Sequence, residues 1–178
     1  MSAIAHCSPE VAEVIAFEIG AFERLSDRLK WPASESGAFQ PFEIQMTGTG
    51  NATDEVREIS DRLESLLLHV RVLREFFYYW EFRKNKSQKQ KPDDVIAEDY
   101  IPDWPNRCPP IGQYLRNNKE RLDKSLAHLS ILRVQYKRTE KRWDIAALRN
   151  ELLPVIETFR SNLPASMQRW FVLPLDQD

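Results

Sequence analysis

RLDKSLAHLSILR, residues Arg121 to Arg133, is the stretch on which the fold of this chain depends most. A helix turns about 100° per residue, so these residues form two stripes along its surface. The apolar stripe holds Leu122, Leu126 and Leu129. The polar stripe beside it holds Arg121, Lys124 and His128. A helix with one leucine stripe buries that stripe, so we expect the polar stripe to follow the rim of the core or to face a partner.

The helix around this stretch is predicted to run from about Pro110 to Tyr136. Its apolar residues recur at seven-residue intervals: Leu115, Leu122, Leu129 and Tyr136. A further helix is expected to start at Asp144, which suits the N-cap position. Pro154 falls inside that helix and should kink it or split it.

Two helices are predicted before this stretch. The first begins at Ser8-Pro9-Glu10 and ends near Lys30, because Pro32 disfavours a helical residue before it. The second, residues 54–82, is the longest element and has a wide apolar face. Its last part, LHVRVLREFFYYWEF, is apolar on most sides, which indicates either the centre of a bundle or a subunit interface. His69 lies on this helix and is expected to border the core rather than to form a catalytic centre.

The remaining segments are predicted to be loops and a tail. Residues 32–52 and 83–110 lack a clear period, apart from one short helical turn at Asp93 or Asp94. Residues 83–92 are basic and polar, and they are interpreted as a solvated loop or, alternatively, as a strip for a phosphate backbone. The tail, 164–178, is too apolar to stay in solvent, so it should dock on the body.

These elements predict an all-α, up-and-down bundle of about four main helices. One helical domain would span residues 1–178, with the motif region at about 54–163. The net charge of −2, from 25 basic and 27 acidic residues, argues against a surface coated with nucleic acid but allows a local basic patch. Two isolated cysteines, no signal peptide and no membrane-length apolar run favour a reduced, cytoplasmic setting without a membrane.

The chemistry that the sequence offers centres on His128. The chain has no glycine-rich phosphate loop, no nucleophilic serine motif and no spacing typical of metal ligands, so we expect no cofactor and no metal. A histidine can act as acid or base near neutral pH, and Arg121 or Lys124 beside it could hold a phosphate. Such a set suits metal-free cleavage of RNA by its own 2′-hydroxyl. The alternative is a rim histidine that bonds a carbonyl or carboxylate of a neighbouring helix.

A family resemblance adds to this interpretation. The pair Arg121 and His128, with six residues between them, resembles the R-x(4–6)-H signature of the HEPN superfamily. The text DKSLAHLSILR is similar to a string in bacterial HEPN-like proteins linked to abortive phage infection, with Asp123 where asparagine often stands. HVRVLREFF (His69–Phe77) and DDVIAEDY (Asp93–Tyr100) also resemble such proteins, so the resemblance covers roughly residues 55–145.

The resemblance implies a homodimer in which the motif helices of two protomers meet. It also implies metal-independent ribonuclease activity in a toxin or defence system, with a cognate antitoxin as partner. Arg121 and His128 would be catalytic, and Lys124 and Arg133 would bind RNA. Two side chains about 10.5 Å apart on one helix are poorly placed for one phosphate, whereas two antiparallel helices about a twofold axis could pair them. Because some relatives are not catalytic, an RNA-binding or protein-interaction module and a structural subunit stay open.

Overall fold

The computed structural model describes residues 7–29, 54–82, 94–127 and 143–171. Within these ranges the regular elements are α-helices and short 3₁₀ turns, and no residue is in a β-strand. The fold of this part of the chain is therefore all-α, as the sequence predicts. No helix among the described residues is long and apolar enough to cross a membrane.

Helix α1, Pro9–Arg28, begins and ends where its capping residues predict. The Ser8 hydroxyl accepts a hydrogen bond from Val11 N at 3.4 Å, and proline occupies the first turn, where its missing N–H costs nothing. The backbone leaves the helix at Leu29, which caps the last turn. The predicted end near Lys30 agrees with this boundary.

The long second helix is interrupted near its end. Helix α2, Asp54–Phe77, and helix α3, Tyr79–Phe82, are separated at Tyr78. The Tyr78 ring is 1% exposed, and its hydroxyl donates to Pro109 O at 3.1 Å. Because this bond and the burial of the ring fix residue 78, the prediction of one continuous helix over 54–82 is wrong at that residue. In its apolar end Leu73, Phe76 and Phe77 are buried in this chain, whereas Leu68 and Val72 are exposed.

The segment predicted to be an irregular loop up to residue 110 supplies part of the core. It contains a 3₁₀ turn, Ala97–Asp99, and helix α4, Trp104–Arg107. Trp104 is fully buried, and its indole N–H donates to Phe77 O at 2.9 Å. The prolines of this segment indicated a loop, but Trp104 fixes the segment in the core. The prediction of an irregular loop up to residue 110 is therefore corrected.

The helix predicted around residues 121–133, called the motif helix, is also divided. Helix α5, Gln113–Asn117, and helix α6, Lys119–Ala127, meet at Asn118, so the prediction of one helix from Pro110 is wrong in its start and its continuity. Tyr114 O accepts from both the backbone N and the side-chain amide of Asn118, at 3.0 and 2.9 Å. An asparagine side chain that bonds a backbone carbonyl four residues earlier competes with regular helix geometry. The predicted end at Tyr136 lies outside the described residues.

Helix α7, Ile145–Asn162, starts as predicted, with Asp144 accepting from Ala147 N at 2.9 Å. Pro154 is on its exposed side and does not split it. Helix α8, Ala165–Gln168, and a 3₁₀ turn, Arg169–Phe171, follow. Phe171 is 7% exposed, so the described part of the tail docks on the body.

An aromatic cluster around Phe159 of α7 joins these elements. The ring of Phe159 is fully buried and makes edge contacts 5.3–5.6 Å from the neighbouring ring centroids of Phe76, Phe77, Trp104 and Phe171. Such edge-to-face pairs stabilise a core beyond the area that they bury. One hydrophobic core therefore unites α2, α4, α7 and the tail, and α6 packs against α2 at its edge.

Candidate functional site

The structure tests only part of the predicted site. Arg121 lies in α6 with its side chain described. Lys124 lies in the same helix, but only its backbone is described, and His128 and Arg133 fall outside the described residues. The pairing of Arg121 with His128 thus stays a prediction, and the surroundings of Arg121 are what the structure adds.

Three contacts fix the direction of α6 against α2. Arg116 lies 3.7 Å from Glu81, the Arg74 guanidinium reaches Lys119 O at 3.4 Å, and Asp123 lies near Arg71. Positions that rise along α5 and α6 meet positions that fall from α3 into α2. The motif helix is therefore antiparallel to α2.

Arg74 is the centre of this contact. It is 0% exposed, and its Nη2 donates to Asp123 Oδ1 at 2.6 Å while Nη1 donates to Lys119 O. The guanidinium carbon also lies 5.0 Å from the centroid of the Phe82 ring. A buried cation is stable only when a charge and hydrogen bonds compensate for its lost hydration. Arg74 thus ties the first turns of the motif helix to α2.

Asp123 compensates that buried charge. Its second carboxylate oxygen accepts from Lys119 Nζ at 2.9 Å, four residues earlier on the same helix. Burial by itself would raise the pKa of Asp123, but the hydrogen bonds and charges of Lys119 and Arg74 outweigh it, and the pKa is lowered. An asparagine at this position would keep a hydrogen bond but could not neutralise Arg74. The aspartate is therefore matched to the buried arginine of this chain.

Arg121 points to a different neighbour. Its guanidinium carbon lies 3.8 Å from the centroid of the Trp143 ring, and Nη1 donates to Asn118 Oδ1 at 3.3 Å. Leu122, the next residue, is fully buried, which confirms that the leucine stripe faces the core at this point. The partly exposed Arg121 is held in place by the indole and by the residue that divides the motif helix.

The N-terminus of α7 positions Trp143 for this stacking contact. Asp144 N donates to the Tyr114 hydroxyl at 2.7 Å, and Glu151, two turns into α7, reaches back to α5. The Glu151 carboxylate accepts from Tyr114 N at 2.8 Å and Leu115 N at 2.8 Å. It thus caps a helix from another element and satisfies two N–H groups that the first turn leaves unpaired. Helices α5 and α6 and the start of α7 form one unit.

Sequence reasoning did not single out Arg74, Trp143 or Glu151. A signal for Arg74 was present, because it follows Val70 by four residues and precedes Phe77 by three on an apolar stripe. A charged residue in that phase indicates a buried ion pair. Trp143 and Glu151 had no comparable signal, since their roles depend on how α7 meets α5 and α6.

His69 contacts α1, whereas Arg74 contacts α6. It lies in α2, as predicted, and its Nδ1 is 2.6 Å from Glu18 Oε2 of α1. Its side chain is 14% exposed, which agrees with a position at the border of the core. Among the described residues no group of three or more histidine, cysteine or acidic side chains is arranged to hold a metal ion.

Comparisons with known proteins give no family for this chain. No protein-family model matches it, and searches of curated proteins and of solved structures found no match.

Proposed function

We propose that this chain is a HEPN-like bundle of about four main helices that acts on RNA as a twofold homodimer. In this proposal His128 is the acid and base, Arg121 binds the scissile phosphate, and Lys124 and Arg133 bind neighbouring phosphates. The physiological setting would be a toxin or phage-defence system with a cognate antitoxin. The resemblance over roughly residues 55–145 motivates this choice.

The observation that carries the proposal is the restraint of Arg121 by Trp143 and Asn118. A catalytic arginine acts best when its planar fork is already oriented, because no ordering cost remains when the phosphate arrives. The buried pair of Arg74 and Asp123 supports the same requirement, since it holds the backbone of the motif helix against α2. Arg121 and Asp123, the motif-helix members of these contacts, precede His128 by seven and five residues in the sequence.

The reaction would need no metal. The 2′-hydroxyl of the RNA attacks the adjacent phosphate, His128 takes or returns the proton, and Arg121 offsets the charge that develops on the phosphate. The products would carry 2′,3′-cyclic phosphate ends. In a dimer, Arg121 of one protomer and the partner's copy of the histidine would meet at one phosphate.

Incubation with RNA in excess EDTA tests the proposal. We expect cleavage by the wild type, a loss of at least about 10²-fold in His128→Ala, and a loss in Arg121→Lys, whose ammonium cannot form a bidentate contact. Arg169→Lys, on the remote 3₁₀ turn, is the matched control and should cleave normally. Unchanged cleavage in His128→Ala, or activity that requires added magnesium, would contradict the mechanism.

The dimer has its own test. Sedimentation at tens of micromolar should show a dimer if the dissociation constant is about micromolar or below. A monomer throughout that range would contradict the shared site but not the helical fold.

A second candidate is a non-catalytic module that binds RNA or a protein. The observation that favours it is that Trp143 covers one face of the Arg121 guanidinium, which suits a fixed contact. This candidate predicts no cleavage in EDTA but retention on RNA that is lost at high salt. A structural subunit would show neither property.

A further inference from the structure

Ser65, His69 and Glu18 form a connected chain of side chains where α1 meets α2. His69 Nδ1 lies 2.6 Å from Glu18 Oε2, and His69 Nε2 lies 3.5 Å from Ser65 Oγ. The histidine and glutamate side chains are 14% and 20% exposed, so solvent reaches the group without surrounding it. This is the order of contacts found in serine nucleophile sites: hydroxyl, imidazole, carboxylate.

The order follows from elementary helix geometry. Ser65 and His69 are four residues apart on α2 and therefore share a face, and α1 supplies the carboxylate from the side. A carboxylate can only accept, so the neutral imidazole that meets it carries its proton on Nδ1. Nε2 is then left as an acceptor directed at the Ser65 hydroxyl. The arrangement sets the tautomer that a general base requires.

An exposed apolar surface lies on the same two helices. Its members are Val14, Phe17, Leu68 and Val72, which are 59%, 53%, 47% and 44% exposed. The Phe17 ring meets the His69 ring edge-on, with centroids 6.0 Å apart, so this surface reaches the imidazole. These exposed apolar side chains could contact the apolar part of a ligand whose reactive end reaches the imidazole.

We propose that Ser65 is an acyl-accepting nucleophile, with His69 as its base and Glu18 as the positioning residue, which reverses the expectation from the sequence that His69 is not part of a catalytic centre. The substrate class is an ester of an apolar carboxylic acid with a good leaving group. This site uses none of the residues assigned to RNA, so it stands or falls independently of the proposed function.

The reaction balances with water as the only co-reactant. Ser65 Oγ bonds to the carbonyl carbon while its proton passes to His69 Nε2. The bond from that carbon to the leaving oxygen then breaks, and the leaving alcohol takes the proton. Water attacks the acyl-serine by the same proton path and releases the carboxylic acid. Glu18 stabilises the imidazolium that forms in both steps.

The geometry also limits the substrate. Helix α2 runs without a break from Asp54 to Phe77, so the backbone N–H groups of Ser65 and Leu66 are directed along the helix to earlier carbonyls. Two backbone donors for an oxyanion are therefore not provided by α2 at Ser65. Such donors contribute about 10²–10³-fold in serine enzymes, so unactivated esters should not react.

The test is acylation of the full chain by p-nitrophenyl butyrate. We expect p-nitrophenol release with a transient butyryl group on Ser65, located by peptide mass spectrometry. Ser65→Ala should abolish the adduct, and His69→Gln should lower the rate by at least about 10²-fold. Ser161→Ala, an exposed serine on α7, is the matched control and should react as the wild type does.

Two further variants separate the catalytic from the structural role. Glu18→Gln can donate to Nδ1 and so moves the proton to Nε2, which should slow acylation, whereas Glu18→Asp should restore part of the rate. Phe17→Ser should reduce the preference for butyrate over acetate without removing the adduct. Circular dichroism establishes that each variant is folded.

The proposal is overturned if folded Ser65→Ala is acylated as fast as the wild type. It is also overturned if the adduct maps to another residue, or if folded Glu18→Gln reacts at an undiminished rate. Cleavage of RNA in these variants reports separately on the other site.

Discussion

Arg74 Nη2 lies 2.6 Å from Asp123 Oδ1, and this ion pair joins a fully buried arginine on α2 to the motif helix α6. The pair is asymmetric, because the aspartate side chain is 27% exposed while the arginine side chain is 1% exposed. The arginine therefore bears most of the desolvation cost, and the aspartate is the charge that offsets it. The position of α6 depends on this compensation.

Asp123→Ala should destabilise the protein by about 2–3 kcal/mol, because it leaves a buried guanidinium without its counter-charge. Glu75→Ala is the matched control, since Glu75 contacts the same arginine at 3.5 Å but is 51% exposed. That control should cost less than about 1 kcal/mol. Urea denaturation measures both, and equal losses would contradict the asymmetry of the pair.

The stability that Asp123 contributes to the folded protein should decrease as the pH falls. Its folded pKa is lowered below the ordinary value of 3.8, although burial opposes the lowering, so the unfolded chain takes up a proton first as the pH falls. The stability that Asp123 contributes is present above 3.8 and is lost as the pH falls through the lowered pKa. The difference in unfolding free energy between the wild type and Asp123→Asn should shrink below about pH 4. A difference that grows on acidification would refute this sign.

Gly112→Ala should be destabilising for steric reasons alone. The backbone at Gly112 is ordinary extended chain, but an added Cβ would overlap the Glu151 carboxyl group. Displacing Glu151 breaks its bonds to Tyr114 N and Leu115 N, which should cost about 2–4 kcal/mol.

A double variant checks the cause of that loss. In Gly112→Ala/Glu151→Ala the overlap is removed, so the pair should be no less stable than Glu151→Ala alone. Gln113→Ala, at the exposed neighbouring position, should change stability by less than about 0.5 kcal/mol. Additive losses at positions 112 and 151 would exclude the steric explanation.

Arg121 and Trp143 should be energetically coupled. Their stacking distance of 3.8 Å predicts a coupling of about 0.5–2 kcal/mol. A double-mutant cycle with Arg121→Met and Trp143→Leu, read by thermal or urea unfolding, measures it. In a control cycle Arg169→Met replaces Arg121→Met, and the coupling free energy with Trp143→Leu should be close to zero, because Arg169 lies on the 3₁₀ turn at 169–171.

Cys108 should be a slow thiol in the native protein. Burial raises its pKa to about 12, against a smaller opposing effect from the Tyr78 hydroxyl. The thiolate population at pH 8 is then about 10³-fold below that of an ordinary cysteine. In a Cys7→Ser background, a disulfide reagent should react slowly with the native protein and rapidly after unfolding. Rapid reaction of the folded protein would contradict the burial of this thiol.

The apolar periods in the sequence were sufficient to predict where helices form, but not where they break. Local features identified the caps at Ser8 and Asp144, because a capping side chain bonds backbone only three residues away. The break at Asn118 also involves a local bond, from its side-chain amide to Tyr114 O, but the break at Tyr78 had no such signal. Tyr78 is fixed by a carbonyl 31 residues later in the chain, a contact that no local pattern encodes.

The candidate site likewise has features that local sequence predicts and features that depend on tertiary contacts. The phase of Leu122 against Arg121 follows from 100° per residue, and the structure agrees with it. The stacking partner of Arg121 did not follow, because Trp143 lies 22 residues farther along the chain, just before α7. The chain of Ser65, His69 and Glu18 also needed α1 and α2 to meet, although two of its members are four residues apart.

By itself, then, the sequence determined the all-α class, the caps and the burial of Leu122 on the motif helix, since each depends on residues within a few turns of one another. Tertiary structure decided which charges are buried and what they face. Arg74 is a buried cation because α6 places Asp123 against it. Trp104 is a core residue whose indole N–H donates to Phe77 O. Desolvation depends on all the elements that cover a group, and no stretch of sequence contains them together.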